Sequence, residues 1–381
     1  MKNRKWQIIC VVRKLLRIFY IFPVKNNRIF FSADRGGGIR CNPMYIYKYM
    51  CKNYPGEYQY VWETSEKTNN TNNKDTVTAK SKSLKCLYYQ MTSKVLISND
   101  GFGSFIPKRK NQIFINTWHG GGAYKRAGVD FKENQNSIDY KINQICGRQT
   151  DFFVSSCHKF TEVMSKAKMV PENRFLEYGM PRNDILINGT SENIKTKVKR
   201  YFKIADDKKI VLFAPTFRGE EKEAEFESQL DVKKCVEALE KRFGGKWIMM
   251  IRKHHFVKSI HTEGCIDASD YPDMQELLYA ADSFITDYSS TIWDYSLTYK
   301  PGFLFVPDLD EYTKDRSFYT DPETWAFPLA RTNEELVELI KTYDTEESRK
   351  KIDQHHEHLQ IKETGKATEH IVEKIIKITG R

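Results

Sequence analysis

Short apolar runs recur along the chain, each ending in a polar or glycine-rich cluster. Arg28–Ser32 (RIFFS), Tyr58–Trp62, Lys94–Ser98, Gln112–Asn116, Asp151–Val154 and Arg174–Tyr178 read as strands. They are short for helices and rich in the aromatic and β-branched residues that suit a pleated, buried surface. Helix-patterned or polar segments lie between several of them, including a helix near Met44–Cys51. Such alternation predicts a parallel α/β sheet. Asn188–Lys209, which carries Gly189, Thr190 and Ser191, reads as a link. A second alternation follows in Ile210–Ala214, Trp247–Ile251, Ser283–Thr286 and Gly302–Val306, and Leu339–Arg381 is charged and helical in pattern. Glu66–Lys74 and Glu220–Glu227 read as solvated excursions. The expected architecture is two doubly wound halves with a ligand cleft between them, near the carboxyl ends of the strands.

The stretch Trp6–Val24 (WQIICVVRKLLRIFYIFPV) is apolar but interrupted by Arg13, Lys14 and Arg17. Central charges weigh against a spanning helix, which needs about 20 mostly apolar residues. The flanks lack the small-residue cleavage site of a secretory signal. Ile8, Val12, Leu15, Leu16 and Phe19 recur at helical spacing. That predicts an amphipathic helix, lying in a bilayer interface with its basic residues toward anionic head groups, or packed on the protein itself. Periodicity alone leaves both open.

Composition narrows the classes. At roughly 150 residues per domain, 381 residues give two to three domains. Hydrophobic residues at 40% supply sizeable cores and exclude a wholly disordered chain. Lys+Arg 61 against Asp+Glu 50 gives a net charge of +11, which points to an anionic partner such as a nucleotide, a nucleic acid or an acidic lipid. No aromatic-interleaved nucleic-acid module accompanies it, so no specific nucleic acid is expected. The 8 cysteines are scattered with no C-x-x-C spacing, which argues against a cysteine zinc site and fits a reducing compartment.

Four segments place polar residues where a strand would end. In Ile113–Lys125 (IFINTWHGGGAYK), His119 follows the strand and Gly120, Gly121 and Gly122 clear space around it. A histidine there can take a proton near neutral pH, and glycine backbone N–H groups can approach phosphate; a structural histidine in a tight turn fits the same residues. In Ile210–Gly219 (IVLFAPTFRG), Thr216 and Arg218 lie just past the strand, and arginine suits planar phosphate recognition as well as an ordinary surface. In Trp247–His255 (WIMMIRKHH), Arg252 and His254 share one side if the chain stays extended. In Ser283–Leu297 (SFITDYSSTIWDYSL), Asp287 ends the strand and Ser289, Ser290 and Thr291 open a helix. Those residues would cap the helix or hold an anion at its N-terminus. Asp287 and Asp294 have no compact set of further ligands, so no metal is assigned. His355, His356 and His358 sit among charged residues and read as a solvated helix face. Neither a G-x-x-x-x-G-K-[ST] phosphate loop nor a G-x-S-x-G elbow occurs.

Taken in order, WHGGGAYK (Trp118–Lys125), GMPRND (Gly179–Asp184), APTFR (Ala214–Arg218), RKH (Arg252–His254) and TDYSSTIWDY (Thr286–Tyr295) resemble the CDP-glycerol:poly(glycerophosphate) glycerophosphotransferase family, the teichoic-acid primases and polymerases. Lys300-Pro301, DEYTKDRSFY (Asp310–Tyr319) and the glycine-containing FFSADRGGGIRCNP (Phe30–Pro43) extend the resemblance over most of the chain. Two departures stand out. The family's common WHGT reads WHGG here, and Trp325–Leu329 (WAFPL) replaces a Pro-Gly-Pro-like segment. They bear on donor and acceptor identity rather than on fold.

The resemblance implies an α/β, GT-B-like fold of two Rossmann-like domains with the active site in the cleft between them. The expected division is 1–24 for the amphipathic helix, 25–188 for an acceptor-side domain and 189–381 for a donor nucleotide-binding domain. It implies a peripheral enzyme at the cytoplasmic membrane face, acting in teichoic acid, capsule or related surface-polymer synthesis. The reaction would move glycerol phosphate from CDP-glycerol to a hydroxyl of a lipid-linked saccharide or growing polymer, releasing CMP, with no cofactor and no metal. His119 and His254 carry over as the motif histidines. Ser289 and Ser290 carry over as donor-phosphate contacts, with Thr216, Arg218, Arg252, Asp287 and Thr291 around them. Gly120, Gly121, Gly122, Lys125 and Arg182 are candidates for acceptor or loop contacts. Three alternatives stay open: a CDP-ribitol-dependent transferase, a GT-B nucleotide-sugar glycosyltransferase, and a non-catalytic polyanion or membrane-surface binding protein. A second copy of the chain is an open partner.

Overall fold

The computed structural model describes residues 2–65, 73–130, 137–189, 192–216, 229–253, 264–315 and 317–380. In chain order it opens with α1 (Lys2–Leu15), β1 (Lys25–Ser32), α2 (Cys41–Asn53), β2 (Gln59–Thr64), β3 (Thr76–Lys80), α3 (Leu84–Thr92), β4 (Ser93–Ser98), β5 (Ile113–Asn116), α4 (Ile138–Gln149), β6 (Phe152–Val154), α5 (His158–Lys168) and β7 (Phe175–Leu176). There follow α6 (Asp184–Asn188), α7 (Glu192–Tyr201), β8 (Lys208–Ala214), α8 (Val232–Phe243), β9 (Lys246–Ile251), β10 (Cys265–Asp267), α9 (Met274–Ala280), β11 (Ser283–Thr286), α10 (Thr291–Ser296), β12 (Gly302–Phe305), α11 (Leu309–Asp315), β13 (Leu329–Ala330), α12 (Asn333–Lys341), α13 (Thr345–Leu359) and α14 (Ala367–Thr379).

Backbone contacts divide the chain into Met1–Asp184 with Ile361–Arg381, and Ile185–Gln360. The first unit holds a seven-stranded sheet in the order β3-β2-β1-β4-β5-β6-β7, the second a six-stranded sheet in the order β10-β9-β8-β11-β12-β13. Neighbouring strands pair in parallel, as β1 does with β2 and β4 and β8 with β9 and β11. Parallel strands are buried on both faces. That is why Ile29, Phe30 and Phe31 in β1, and Ile210 through Phe213 in β8, are consecutive and almost fully buried. Phe30 packs with Val61, Leu96 and Phe114 toward Cys86 of α3. On the other side Phe31 stacks on Trp62 at 5.0 Å, with Tyr47 of α2 edge-on to both. In the second unit Val211, Phe213, Met249, Ile251, Ile285 and Phe303 form a core with Leu239 of α8 and Leu336 and Ile340 of α12.

Two boundaries differ from the sequence expectation. The segment expected as a link folds as α7 of the second unit, tied down by Lys195 Nζ to Asp282 at 2.6 Å and Lys197 Nζ to Glu276 at 2.7 Å. Thr190 and Ser191 lie outside the described residues. The segment Ile361–Arg381, expected with the second half, returns to the first. There Asp184 accepts the backbone N–H groups of Ala367 (2.9 Å) and Thr368 (2.8 Å), capping α14 from a distant point in the chain. The motif Gly179–Asp184 is thus a clip for α14. Glu363 accepts the Met180 N–H and an Asn183 N–H, both at 2.9 Å. Gly179 has φ +88, and a Cβ there would lie 2.6 Å from the Glu363 carboxylate and 3.1 Å from its Cα, so only glycine fits.

The solvated-face reading holds for His358, which is exposed, and is corrected for His355 and His356. His355 and His356 are buried at 8% and 5% exposure, and His356 Nε2 lies 2.6 Å from Ser296 Oγ. Trp293 of α10 stands edge-on to both rings. Adjacent charged residues masked this in the sequence, because the inward side of α13 is set by its packing on α10.

Candidate functional site

In open parallel sheets, ligands gather outside the carboxyl ends of strands where the strand order reverses. The first sheet reverses between β1 and β4, the second between β8 and β11. His119 follows β5, one strand beyond the first of these positions, and its ring meets the Asn99 carbonyl just after β4. Thr216 follows β8 and Asp287 follows β11 at the second.

The His119 loop is held from several directions. Trp118 adopts φ +50, uncommon for a bulky residue. Its N–H donates to Asn116 Oδ1 at 2.9 Å, and Asn42 Nδ2 donates to the carbonyls of Thr117 (3.0 Å) and Trp118 (2.9 Å). Arg182 donates to the His119 carbonyl at 2.7 Å, and its own N–H reaches Asn42 Oδ1 at 3.0 Å. Arg182 is therefore a brace of this loop. The Trp118 and His119 rings stack with centroids 4.4 Å apart. Gly122 donates its N–H to Ser156 Oγ at 3.1 Å, which removes that amide from the phosphate role open to it in sequence.

The imidazole has a defined tautomer. Nδ1 lies 2.9 Å from the Asn99 carbonyl, an acceptor without a proton. In neutral His119 the proton therefore sits on Nδ1, which leaves a lone pair on Nε2. The side chain is 47% exposed, so the ring has access to water. Crowding by protein lowers its pKa, opposed by the Asn99 carbonyl and by the Asp100 charge, while Arg182 lowers it further. A ring that is neutral near pH 7, with one free nitrogen and a fixed tautomer, is equipped to accept a proton.

On the second unit, Asp287 is buried and ties two loops together. Its carboxylate accepts the Thr216 N–H at 2.8 Å and the Thr216 hydroxyl. Thr286 Oγ1 donates to the Ala214 carbonyl at 2.6 Å in the same zone. Ser289 Oγ lies 2.8 Å from Thr291 Oγ1 and accepts the Thr291 N–H at 3.3 Å, whereas Ser290, the residue before α10, makes no side-chain capping bond. Arg252 donates to the Tyr271 carbonyl at 2.7 Å, so part of its guanidinium braces the segment after β10. Asp294 accepts from Gln275 Nε2 at 3.0 Å. Arg218 and His254 lie outside the described residues.

A family model for CDP-glycerol:poly(glycerophosphate) glycerophosphotransferases matches residues 14–377. The chain belongs to this family. It is 31% identical over 353 residues to the teichoic acid poly(glycerol phosphate) polymerase of Bacillus subtilis (strain 168), covering 89% of this chain and 47% of that protein. It is 29% identical over 379 residues to the protein of the same description from Bacillus spizizenii, covering 95% of each. The chain thus spans about half the length of one relative and nearly all of the other. Among solved structures it matches the wall teichoic acid polymerase TagF, in a histidine-to-asparagine variant soaked with CDPG, with a TM-score of 0.82 at 27% identity over 100% of this chain and 98% of that one. The two-unit α/β fold is GT-B-like, as in TagF. No helix among the described residues is long and apolar enough to cross a membrane.

In this glycerophosphotransferase-family chain, the residues that sequence reasoning passed over are Asn42, Asn99 and Asp100. The signal was present for two of them. Asn99 and Asp100 follow the Lys94–Ser98 strand in the same way that His119 follows its own. Asn42 carried no such mark, since only its contacts show that it holds the Thr117–Trp118 turn.

Proposed function

We propose that this chain transfers an alditol phosphate, in the first instance glycerol phosphate, from a CDP-activated donor to a hydroxyl of a lipid-linked saccharide or growing polymer, with release of CMP. The observation that carries the reading is His119, which in a chain of this family presents an unprotonated Nε2 beside a strand-order reversal. His119 takes the proton of the attacking hydroxyl, the oxygen bonds to the donor's distal phosphorus, and the bond from that phosphorus to CMP breaks. Ser289, Ser290 and Thr291 hold the donor phosphates, with Asp287 fixing the Thr216 loop beside them. Arg252, Arg218 and His254 neutralise charge on the diphosphate, the last two by resemblance alone. Lys125, Gly120 and Gly121 lie on the acceptor side. Positioning and electrostatics supply most of such catalysis. CMP release from CDP-glycerol and CDP-ribitol, each with a panel of lipid-linked saccharides, tests the reading. Acceptor-dependent CMP from CDP-glycerol is expected. Release of a nucleoside diphosphate from a nucleotide sugar instead would move the chain to the glycosyltransferase class.

We place this activity at the cytoplasmic face of a membrane, through α1 and the turn after it. Arg13 points inward, donating to the Ser104 and Ile106 carbonyls (2.7 and 2.9 Å) and to Gln149 (2.7 Å). That turns Val12, Leu16 and Phe19 partly onto the protein. Ile8, Val11, Leu15, Ile18 and Ile21 remain more than half exposed, with Lys14 and Arg17 beside them. The outward apolar face therefore differs from the one read from sequence. Apolar residues rimmed by basic ones suit an anionic lipid surface. Leu15→Asp with Ile18→Asp is expected to abolish co-sedimentation with phosphatidylglycerol vesicles while leaving thermal unfolding unchanged. Undiminished binding would rule out this face.

A further inference from the structure

We propose that Asp100 is the charge partner of His119, a positioning residue whose carboxylate steadies the imidazolium formed when Nε2 takes the acceptor's proton. The inference rests on His119 being the base, as proposed above. Asp100 Oδ1 lies 3.9 Å from His119 Nδ1. Its Oδ2 is shut off from solvent and accepts no hydrogen bond among the described residues. A buried carboxylate oxygen without a donor is costly, and no neighbour among the described residues is held by it. The burial of Asp100 limits the screening of its charge on the side toward the imidazole, whose outer edge stays open to water. The backbone fixes it there, with the Asp100 N–H donating to Ser98 Oγ at 3.2 Å at the end of β4.

The other charged groups around His119 do not substitute for it. Asp34, after β1, accepts from Asn99 Nδ2 at 2.9 Å and lies 3.8 Å from Arg40, so its charge is shared. Arg182, from the turn before α6, acts in the opposite sense on the ring. From α2 come Asn42, which is uncharged, and Cys41, whose thiol burial keeps protonated. Lys168, at the end of α5, places Nζ 4.4 Å from the centroid of the Trp118 ring that stacks on His119. Burial lowers the Lys168 pKa to about 8, with Cys146 and then Asp100 opposing the shift. In the reaction the hydroxyl proton passes to Nε2, and the Nδ1 proton stays on the ring beside the Asn99 carbonyl. No proton moves to the carboxylate.

The test is the His119 titration, followed by NMR on protein labelled in its histidine rings, with the resonance assigned by its loss in His119→Gln. In Asp100→Asn the His119 pKa is expected to fall by about one unit or more, the usual effect of removing an adjacent opposite charge. Turnover is expected to fall about tenfold or more, with the KM for CDP-glycerol little changed and the acid limb of the kcat profile moving down in step. Asp100→Glu keeps the charge and is expected to hold the His119 pKa near its native value. An unchanged His119 pKa in Asp100→Asn, or an equal fall in Asp100→Glu, overturns the proposal. Those failures are separate from failure of the base reading, which would appear as normal turnover in His119→Gln.

Discussion

Replacing His119 with alanine is expected to reduce CMP release by about 10²–10⁴-fold, the usual cost of losing a general base. The fold should survive, because the ring is nearly half exposed and its one bonded nitrogen meets a backbone carbonyl that water can satisfy. The loop carbonyls remain gripped by Asn42 and Arg182, which bond to backbone and not to the imidazole. The native enzyme should also lose activity in acid as His119 takes a proton. Since crowding lowers the His119 pKa, that loss should set in below the ordinary histidine value of 6.5. Turnover and thermal unfolding measured on one preparation separate the two effects. Turnover within about fivefold of native in folded His119→Ala, a loss well under that range, would remove the histidine from the mechanism.

The second large effect is on stability. His355 and His356 are both lowered to about 4, chiefly by burial, with the two rings and His358 adding mutual repulsion at His355. In the unfolded chain they take protons near 6.5. Their contribution is therefore complete above pH 6.5 and is lost as pH falls from 6.5 toward 4, where the unfolded state binds protons that the folded state refuses. One pKa unit is worth about 1.4 kcal/mol, so the pair withdraws several kcal/mol over this range. That is a large share of the ~5–15 kcal/mol of a typical domain. Thermal unfolding of the second unit, read through the Trp293 environment, should drop steeply between pH 6.5 and 4. His355→Phe with His356→Gln should flatten that slope. A native transition independent of pH across this window would contradict the buried neutral pair.

The strands that carry the sites were legible because parallel strands are apolar on both faces and end abruptly. Ser283–Thr286 is β11 residue for residue, and β8, β9 and β12 differ only at their ends. β3, β10 and β13 escaped detection. They lie at sheet edges, where Thr76–Lys80 and Cys265–Asp267 are only partly buried, and an edge strand has less need of an apolar signature. Gly179–Asp184 was legible as a motif but not as a clip, because its partners Glu363 and Thr368 are about 180 residues away in the chain. Arg182 and Gly122 were read as acceptor or loop contacts, and the sequence did not choose between the two; here both bond within the protein. Arginine and a glycine amide serve a carbonyl or a hydroxyl as readily as a phosphate.

By itself the sequence determined the two α/β sheets, the family and the places where strands hand over to polar loops. Each follows from local pattern: apolar runs must be buried, and an ordered set of short motifs leaves little freedom. Only the tertiary structure decided the tautomer of His119, the nearness of Asp100, the burial of His355 and His356 and the return of α14 to the first unit. Those depend on which distant groups meet. A proton's place on a ring and the field around it are set by neighbours in space, and composition and spacing along the chain do not encode them.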